Sequence, residues 1–371
     1  MIALQLYDAL TAERARFLRV DELCRLAAEK GHLPSAEELE AEARLPLREK
    51  KGLEKAQGRF LAEILGNPVA GTHLCHAMLL PRDDSTKLLD KYEASGELDL
   101  GAVRLKRHGK ASLLTTRNPS HLNAEDETTL DAMEIAVDLA LLDPKTEVCV
   151  LRGDTVNHAK YAGKRIFGAG INLTHLYEGK IRYLWYLIRD LGFVNKFYRG
   201  LAVADQSPEI ASTEKLWIAA VEGFAIGGHC QILLTMDYTV AAEGAYLTLP
   251  ARKEGIVPGA ANLRLPRFVG DRIARQAILA ERHIDCASPE GRMICDEIVA
   301  PDEIDGRLEG VVERLTGSGV VSAAANRRAF RAGQEPLDTF RRYMAIYARE
   351  QADCHFSPAL VANLERNWKK K

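Results

Sequence analysis

The stretch that decides the fold is residues 221–231, Val-Glu-Gly-Phe-Ala-Ile-Gly-Gly-His-Cys-Gln. The β-branched, apolar run Leu216–Val221 predicts a buried strand, and the apolar stretch 230–236 after the paired glycines predicts a helix. A helix that begins at paired glycines presents backbone N–H groups without intrahelical partners, with no Cβ in a ligand's way. Such a turn suits a developing oxyanion, although alone it favours a packing turn in an α/β protein.

A second glycine turn, residues 166–173 with the sequence Ile-Phe-Gly-Ala-Gly-Ile-Asn-Leu, follows a predicted strand over 147–152. The two turns together resemble those of the crotonase, or enoyl-CoA hydratase/isomerase, superfamily. There, Phe-x-Ala-Gly-x-Asp/Asn-Leu and Gly-x-Ala-x-Gly-Gly each give one backbone N–H to the thioester oxygen of an acyl-CoA. Carried over by position, the donors are the N–H groups of Ile171 and Gly228. The resemblance also implies acyl-CoA contacts from the rest of the first turn: Ala169, Gly170, Asn172 and Leu173.

Composition indicates a globular protein with a sizeable core, since 47% of the 371 residues are apolar and 27% are charged. A net charge of −2 gives no argument for nucleic-acid binding, and no apolar run reaches the roughly 20 residues of a membrane span. The start lacks the features of a signal peptide, and the scattered cysteines form no disulfide framework, so a cytoplasmic location is expected. The sequence 73–76, His-Leu-Cys-His, lacks a second ligand pair, so packing is favoured over a metal site.

Three regions follow from the patterns along the chain. Residues 1–98 show apolar positions at helical spacing, with a continuous helix predicted over 3–30, and form an all-helical N-terminal region. Residues 99–302 alternate strands and helices, which predicts an α/β domain; Asn123 is expected to cap the helix that precedes Asp143. Residues 303–371 are predicted to be mainly helical.

The resemblance implies that the central region is a crotonase-like ββα spiral core that binds acyl-CoA. It implies that the C-terminal helices make oligomer contacts, in a trimer or hexamer, and cover the CoA site. Arg341 and Arg342 are then candidates for phosphate contacts. Residues 258–262, Pro-Gly-Ala-Ala-Asn, resemble the superfamily's Pro-Gly-Ala-Gly-Gly motif, which makes Asn262 a further candidate substrate contact.

The chemistry departs from that of the hydratases, which use two glutamates at positions that the motifs define. Aligned on the motifs, these positions hold Gln231 and Ala251. Because an amide does not take a proton at neutral pH and alanine has no polar group, hydratase activity is not expected. Glu254 would replace the missing base only after a register shift that the sequence does not justify.

The oxyanion hole remains, and it alone favours an enolate next to a thioester. If the acyl group is an arylacetyl, the ring delocalises the charge further, and such a carbanion is electron-rich enough to reduce dioxygen. The recess left by Ala251, next to Ile171 and Ile256, offers the apolar space that O2 prefers.

These replacements and the helical N-terminal region resemble the dioxygenase branch of the superfamily, which serves glycopeptide antibiotic biosynthesis without metal or organic cofactor. The resemblance implies conversion of 3,5-dihydroxyphenylacetyl-CoA and O2 to 3,5-dihydroxyphenylglyoxylate and CoA, through an enolate and a peroxide that closes on the thioester carbonyl. It places contacts to the two phenol hydroxyls on Glu125, Arg189 and Gln231, with Glu127 close enough to compete with Glu125.

Two other classes of function stay open. One is a thioesterase, isomerase or decarboxylase with the same oxyanion hole, and the other is a non-catalytic acyl-CoA-binding subunit. The pair His229-Cys230 favours packing over a thiol nucleophile, because no orienting Asp or Asn is identifiable. The sequence around Gly168 and Gly170 lacks the third glycine and the acidic residue of a dinucleotide fingerprint.

Overall fold

The computed structural model describes residues 2–367, and residues 368–371 of the predicted C-terminal region lie outside that range. The strands are β1 Glu97–Asp99, β2 Val103–His108, β3 Ala111–Thr116, β4 Val148–Gly153, β5 Leu201–Ala202, β6 Ser212–Thr213, β7 Leu216–Val221, β8 Phe224–Ile226, β9 Tyr238–Ala242, β10 Tyr246–Thr248, β11 Ile284–Asp285 and β12 Glu297–Val299. The α-helices are α1 Ile2–Leu10, α2 Val20–Glu29, α3 Ala36–Ala43, α4 Lys55–Gly66, α5 Pro68–Leu79, α6 Asp83–Ser95, α7 Glu127–Leu142, α8 Leu173–Tyr177, α9 Tyr183–Leu191, α10 Phe193–Arg199, α11 Gly228–Leu233, α12 Ala251–Glu254, α13 Ala261–Ala280, α14 Ile304–Thr316, α15 Val320–Gln334, α16 Leu337–His355 and α17 Pro358–Asn367.

The large sheet has the strand order β1-β2-β3-β4-β7-β9-β12. Its first three strands are antiparallel, and β3, β4, β7, β9 and β12 run parallel. A smaller sheet has the order β11-β10-β8. After β7 the chain enters the small sheet as β8 and then forms α11, and after β9 it enters the small sheet as β10 and then forms α12. Each ββα unit thus sends one strand to each sheet.

The central strand β7 is buried on both faces because helices cover both sides of the large sheet. Trp217 and Ala219 point into the main core, whereas Ile218 and Ala220 belong to a second cluster that α14 covers through residues such as Leu308. This alternation follows from the two-residue period of a strand. The bounds of β3 and β7 agree with those predicted from the sequence.

The N-terminal region is helical up to Ser95, as predicted, but the helix expected over 3–30 is interrupted. The residues 12–14 have positive φ angles, and the Thr11 hydroxyl donates to the Tyr7 carbonyl and accepts from the Arg14 N–H. A threonine hydroxyl that bonds nearby backbone competes with helix continuation. Periodicity alone does not reveal such a break.

The N-terminal helices share one continuous buried core with the rest of the chain, and α4 packs along α16. A set of charged groups that we call the junction cluster, Arg19, Arg82, Glu134, Asp138 and Lys196, joins the same regions. The Lys196 ammonium lies 2.8 Å from Glu134 and 2.7 Å from Asp138, and the Arg19 guanidinium lies 2.7 Å from Glu134. The N-terminal region is therefore integrated with the sheet-bearing part.

The prediction that Asn123 caps α7 is wrong, because α7 begins later than expected. Asp126 caps α7, and its side chain accepts the N–H of Thr128. The Asn123 amide instead donates to the carbonyls of Asp154 and Ile166, both at 2.8 Å. Asn123 thus ties the chain before α7 to the segment that leads into the first glycine turn.

Candidate active site

The two glycine turns meet at the carboxyl ends of the parallel strands. Gly170 has φ of +76°, and a Cβ placed on it would lie 2.7 Å from the Ile226 carbonyl oxygen and 2.9 Å from the Gly228 nitrogen. Both the left-handed conformation and the close approach therefore require glycine. A Cβ on Gly228 would collide with a carboxylate oxygen of Glu125. The turns pack backbone against backbone, which no larger residue permits.

The backbone N–H groups of Ile171 and Gly228 have no hydrogen-bond acceptor among the described residues, whereas those of Gly170 and Gly227 do. The N–H of Gly170 donates to His229 and that of Gly227 donates to the Thr248 carbonyl. Two unpaired amides at one junction provide the donors that an oxyanion requires.

A small cavity of about 20 Å³ opens beside these amides, which is about the room for one water molecule. An arylacetyl group is larger, so its entry requires the wall of the cavity to move. Of the predicted site residues, the following line the cavity: Ile171, Arg189, Gly228, Gln231, Ala251 and Ile256. A larger cavity of about 600 Å³ lies between α14 and the outer face of the sheet, away from the two amides.

One buried guanidinium organises the polar groups at the cavity, and we call its group the pocket cluster: Arg189, Asp190 and Gln231, which line the cavity, and Glu125, which does not. Arg189 donates to both carboxylate oxygens of Glu125, at 2.8 and 2.9 Å, and to the Gln231 carbonyl oxygen at 2.9 Å. It also donates to the Asp190 carboxylate at 2.6 Å and to the Gly228 carbonyl at 2.8 Å. Arg189 therefore holds the second oxyanion turn and both predicted ring-binding partners in one network.

The charges of the pocket cluster are buried and only partly neutralised. Burial lowers the pKa of Arg189, but the Glu125 and Asp190 charges outweigh burial and raise it, so the guanidinium stays charged. Burial raises the pKa of Asp190 in spite of the neighbouring Arg189. One guanidinium faces two carboxyl groups, so the cluster favours additional hydrogen-bond donors.

The structure separates Glu125 from its competitor Glu127. Glu125 is buried against Arg189, whereas Glu127 reaches solvent and accepts the backbone N–H of Arg182 at 2.8 Å. Glu127 therefore serves the start of α9, and Glu125 is the carboxylate of the pocket cluster.

Other predicted contacts lie beside the cavity rather than in its lining. The Asn172 side chain caps α8 and donates to Asp126 at 2.9 Å, so its polar atoms are engaged within the protein. Leu173 is partly buried against the core, and Ala169 packs on a small satellite cluster. Asn262 is exposed on the first turn of α13, where its amide donates to the Tyr343 hydroxyl at 3.3 Å.

Arg341 is not available for a phosphate contact in this structure, contrary to the sequence expectation. Its guanidinium is buried, donates to the Leu65 carbonyl at the end of α4, and pairs with Asp338 at 2.6 Å. It joins α16 to the N-terminal helices, a region that the superfamily motifs do not cover. Its neighbour Arg342 is exposed.

Sequence reasoning missed the part that His229 plays. The imidazole is buried, and its Nδ1 accepts the Gly170 N–H at 3.1 Å. Burial lowers the pKa of His229 to about 4, so the ring is neutral and keeps an acceptor nitrogen for Gly170. The sequence did contain a signal for this role. His229 directly follows the paired glycines Gly227 and Gly228, at the start of helix α11, where the two turns meet.

Sequence reasoning also set aside Glu254, which the structure places in the cavity lining. Ala251 and Glu254 lie three residues apart on α12 and therefore face the same side. Burial raises the pKa of Glu254 to about 7, and no hydrogen bond or ion pair of its carboxyl group occurs among the described residues.

Within residues 2–367, no group of three or more His, Cys, Asp or Glu side chains is arranged to hold a metal ion. His73 bonds the Tyr7 hydroxyl at 2.7 Å and stacks on Phe17, and His76 bonds the Val203 carbonyl at 2.9 Å, so both imidazoles make packing contacts. No helix in the described part of the chain combines the length and apolar character needed to cross a membrane.

Comparison with known proteins places these features in a family. The enoyl-CoA hydratase/isomerase family matches residues 108–353. The chain is 46% identical over 351 residues to "(3,5-dihydroxyphenyl)acetyl-CoA 1,2-dioxygenase" of Amycolatopsis orientalis, which covers 94% of this chain and 80% of that protein. It is 27% identical over 245 residues to a short-chain-enoyl-CoA hydratase of Clostridium acetobutylicum, covering 65% of this chain and 86% of that protein.

Solved structures share the fold. An enoyl-CoA hydratase from Mycobacterium avium subsp. paratuberculosis K-10 superposes with a TM-score of 0.60 at 19% identity, over 74% of this chain and 98% of its own. The predicted α/β core with helical N- and C-terminal regions is thereby confirmed. The family match begins at residue 108 and leaves out the N-terminal helices. The match to the Amycolatopsis protein covers 94% of this chain and therefore includes most of these helices. The chain belongs to the enoyl-CoA hydratase/isomerase, or crotonase, family.

Proposed function

We propose that this protein is a dioxygenase that converts 3,5-dihydroxyphenylacetyl-CoA and O2 to 3,5-dihydroxyphenylglyoxylate and CoA. The observation that carries the proposal is the cavity, in which two unpaired amides face Gln231 and Ala251 where hydratases hold glutamates. A cavity of this kind favours an enolate without the acid and base of water addition. The similarity to the Amycolatopsis dioxygenase over nearly the whole chain supports the same reaction.

The reaction balances without an added reductant. The enolate carbon transfers electrons to O2 and forms a peroxide at the α-carbon, and the terminal peroxide oxygen attacks the thioester carbonyl and expels CoA thiolate. Cleavage of the O–O bond with loss of the second α-proton leaves a ketone at the α-carbon and a carboxylate. One substrate and one O2 thus give one glyoxylate and one CoA, and we propose that neither metal nor organic cofactor takes part.

In this proposal the Ile171 and Gly228 amides hold the thioester oxygen, and the turn formed by Ala169, Gly170, Asn172 and Leu173 keeps Ile171 in place. The pocket cluster receives the aromatic ring. Glu125 and the Gln231 amide exchange hydrogen bonds with the phenol hydroxyls, and Arg189 keeps both side chains oriented. The fixed guanidinium suits this task because its fork geometry limits how its partners turn.

Ala251, Ile256 and Ile171 form the apolar side of the cavity, and we assign O2 to the space next to them. Asn262, exposed at the start of α13, is proposed as a contact to the CoA portion. We propose that the product is a precursor of the dihydroxyphenylglycine in a vancomycin-type glycopeptide antibiotic.

We also propose that the protein is a homo-oligomer, a trimer or hexamer. We place it in the cytoplasm, where the free thiols of the described chain stay reduced.

The test is to incubate chelator-treated protein with 3,5-dihydroxyphenylacetyl-CoA in air and to record O2 uptake and free thiol together. The proposal predicts equal amounts of O2 consumed and CoA released, with an α-keto acid as product. Thiol release without O2 uptake would identify a thioesterase instead. Substrate binding with neither signal would favour a non-catalytic acyl-CoA-binding subunit.

A further inference from the structure

The carboxyl group of Glu254 is the unassigned polar group of the cavity. Two carboxylic acids, Asp190 and Glu254, line the cavity. Asp190 is bound by Arg189 at 2.6 Å, whereas Glu254 has no ion pair or hydrogen-bonding partner for its carboxyl group within residues 2–367. A buried carboxylic acid without a partner destabilises the folded state, which points to a function.

The position of Glu254 relative to the oxyanion turn defines that function. Its Oε2 lies 3.9 Å from the point where a Cβ of Gly227 would be, and Gly227 precedes the oxyanion donor Gly228. A thioester whose oxygen binds the Ile171 and Gly228 amides has its α-carbon one bond from the carbonyl carbon. The α-hydrogens therefore lie in the same small cavity as this carboxylate.

We infer that Glu254 is the base that removes the α-proton of the arylacetyl thioester. The α-carbon C–H bond breaks, its electron pair forms the enolate double bond, and the carbonyl π pair moves to the oxygen held by the two amides. The proton forms an O–H bond on Glu254 and is later returned to the CoA thiolate that leaves. This assignment rests on the proposed enolate chemistry and adds the residue that starts it.

The surroundings of Glu254 suit a group that gains and loses one proton. Tyr186 of α9 and Tyr347 of α16 face the cavity, and burial raises the pKa of both phenols, so they stay neutral. On its other side, α17 faces the end of α12 with Leu360 and Asn363, which do not titrate. Lys253, the cationic neighbour on α12, only partly offsets the effect of burial.

With a pKa raised to about 7 by burial, Glu254 is largely a carboxylate at pH 8 and a stronger base than an exposed glutamate. Glu125 does not take this role, because both of its carboxylate oxygens accept hydrogen bonds from Arg189 and its side chain is not part of the cavity lining.

The test is exchange of the substrate α-protons with deuterium in D2O without oxygen, followed by mass spectrometry. Wild-type protein is expected to exchange these protons, and Glu254→Gln is expected to slow exchange by a factor of about 100 or more. Binding of the thioester, measured by anaerobic calorimetry, should persist in the variant. Glu254→Asp should restore part of the exchange, because it returns a carboxylate to the cavity.

Glu127→Gln is the matched control. Its carboxyl also has a pKa raised to about 7, by desolvation although the residue reaches solvent, but it lies outside the cavity. It should exchange at the wild-type rate. The rate of exchange in wild type should fall as pH drops through about 7, and Glu254→Gln should lose this dependence.

The outcomes separate the two proposals. Unchanged exchange in Glu254→Gln would overturn the role of Glu254 even if wild-type protein consumes O2. Exchange that depends on Glu254 without any O2 uptake would uphold the base and contradict the dioxygenase. Loss of exchange in Glu127→Gln to the same extent would show a general charge effect and also overturn the assignment.

Discussion

The junction cluster and the pocket cluster both bury arginine or lysine against carboxylates, but they differ in the ratio of cations to carboxyl groups. In the junction cluster, Lys196 and Arg19 contact Glu134, and Lys196 also contacts Asp138. In the pocket cluster, a single guanidinium faces Glu125 and Asp190, and a cavity opens next to Gln231. Two cations thus contact the Glu134 carboxylate in the junction cluster, whereas one cation serves two carboxyl groups beside the cavity.

The pKa of Glu134 in the junction cluster shifts in the opposite direction to those of the cavity carboxyl groups. Burial raises the pKa of Glu134, but Lys196 and Arg19 outweigh burial and lower it well below the usual range. At the pocket, burial raises the pKa of Asp190 in spite of Arg189, and burial raises that of Glu254 to about 7. The cations therefore outweigh burial at Glu134, whereas burial outweighs the neighbouring cation at Asp138, Asp190 and Glu254.

The largest expected effect comes from breaking the junction cluster. Lys196→Met leaves Asp138 buried without its cation and weakens the neutralisation of Glu134. We expect the free energy of unfolding to fall by about 3–5 kcal/mol, measured by urea denaturation. Lys87→Met, at an exposed lysine, is the control and should change stability by less than about 0.5 kcal/mol. Equal midpoints for the two variants would contradict a structural role for the junction cluster.

Glu254→Gln should raise stability while it removes the proposed base. The folded-state pKa of about 7 lies above the unfolded value, so the native state loses stability as pH rises from about 4.5 to 7 and remains less stable above that range. A neutral amide avoids this penalty. We expect a gain of up to about 3 kcal/mol at pH 8, with little change at pH 4.5, by denaturation at both values. A gain that does not depend on pH would contradict a titrating carboxyl at this position.

Arg341→Met tests the corrected assignment of Arg341. Loss of its bond to the Leu65 carbonyl should lower the free energy of unfolding by about 2 kcal/mol and leave the KM for the CoA thioester unchanged. Arg342→Met, at the exposed neighbour, should leave the free energy of unfolding unchanged. A raised KM with unchanged stability in Arg341→Met would return this residue to phosphate binding.

The smallest effect is a difference in specificity within the pocket cluster. Gln231→Ala should reduce turnover of 3,5-dihydroxyphenylacetyl-CoA more than that of phenylacetyl-CoA, by about fivefold, since plain phenyl lacks the hydroxyl to be bound. The two values of kcat/KM give the ratio directly. Equal losses on both substrates would remove Gln231 from ring recognition.

The sequence predicts what depends on local pattern and motif. The strands next to the glycine turns, the turns themselves and the helical ends follow from periodicity and from the family resemblance. The resemblance also named Glu125, Arg189 and Gln231, which the structure brings into one network.

The missed features depend on which distant groups pack together. From its local sequence Arg341 is expected to be a surface cation. In the fold it donates to the Leu65 carbonyl of α4, which is 276 residues away in the chain. From the motif alignment Glu254 required a shift in register, but one turn of α12 brings it to the same face as Ala251. A helical reading of residues 251–254 would have found it. The break after α1 involves the Thr11 hydroxyl and the positive φ angles of the next three residues, which apolar periodicity does not reveal.

The most direct test of the account is turnover of 3,5-dihydroxyphenylacetyl-CoA under 18O2, with the product analysed by mass spectrometry. An enolate formed in this cavity, attack on O2 and closure of the peroxide on the thioester predict two 18O atoms in each glyoxylate, one in the ketone and one in the carboxylate. Release of CoA with unlabelled 3,5-dihydroxyphenylacetate would contradict it and leave the oxyanion turns serving hydrolysis.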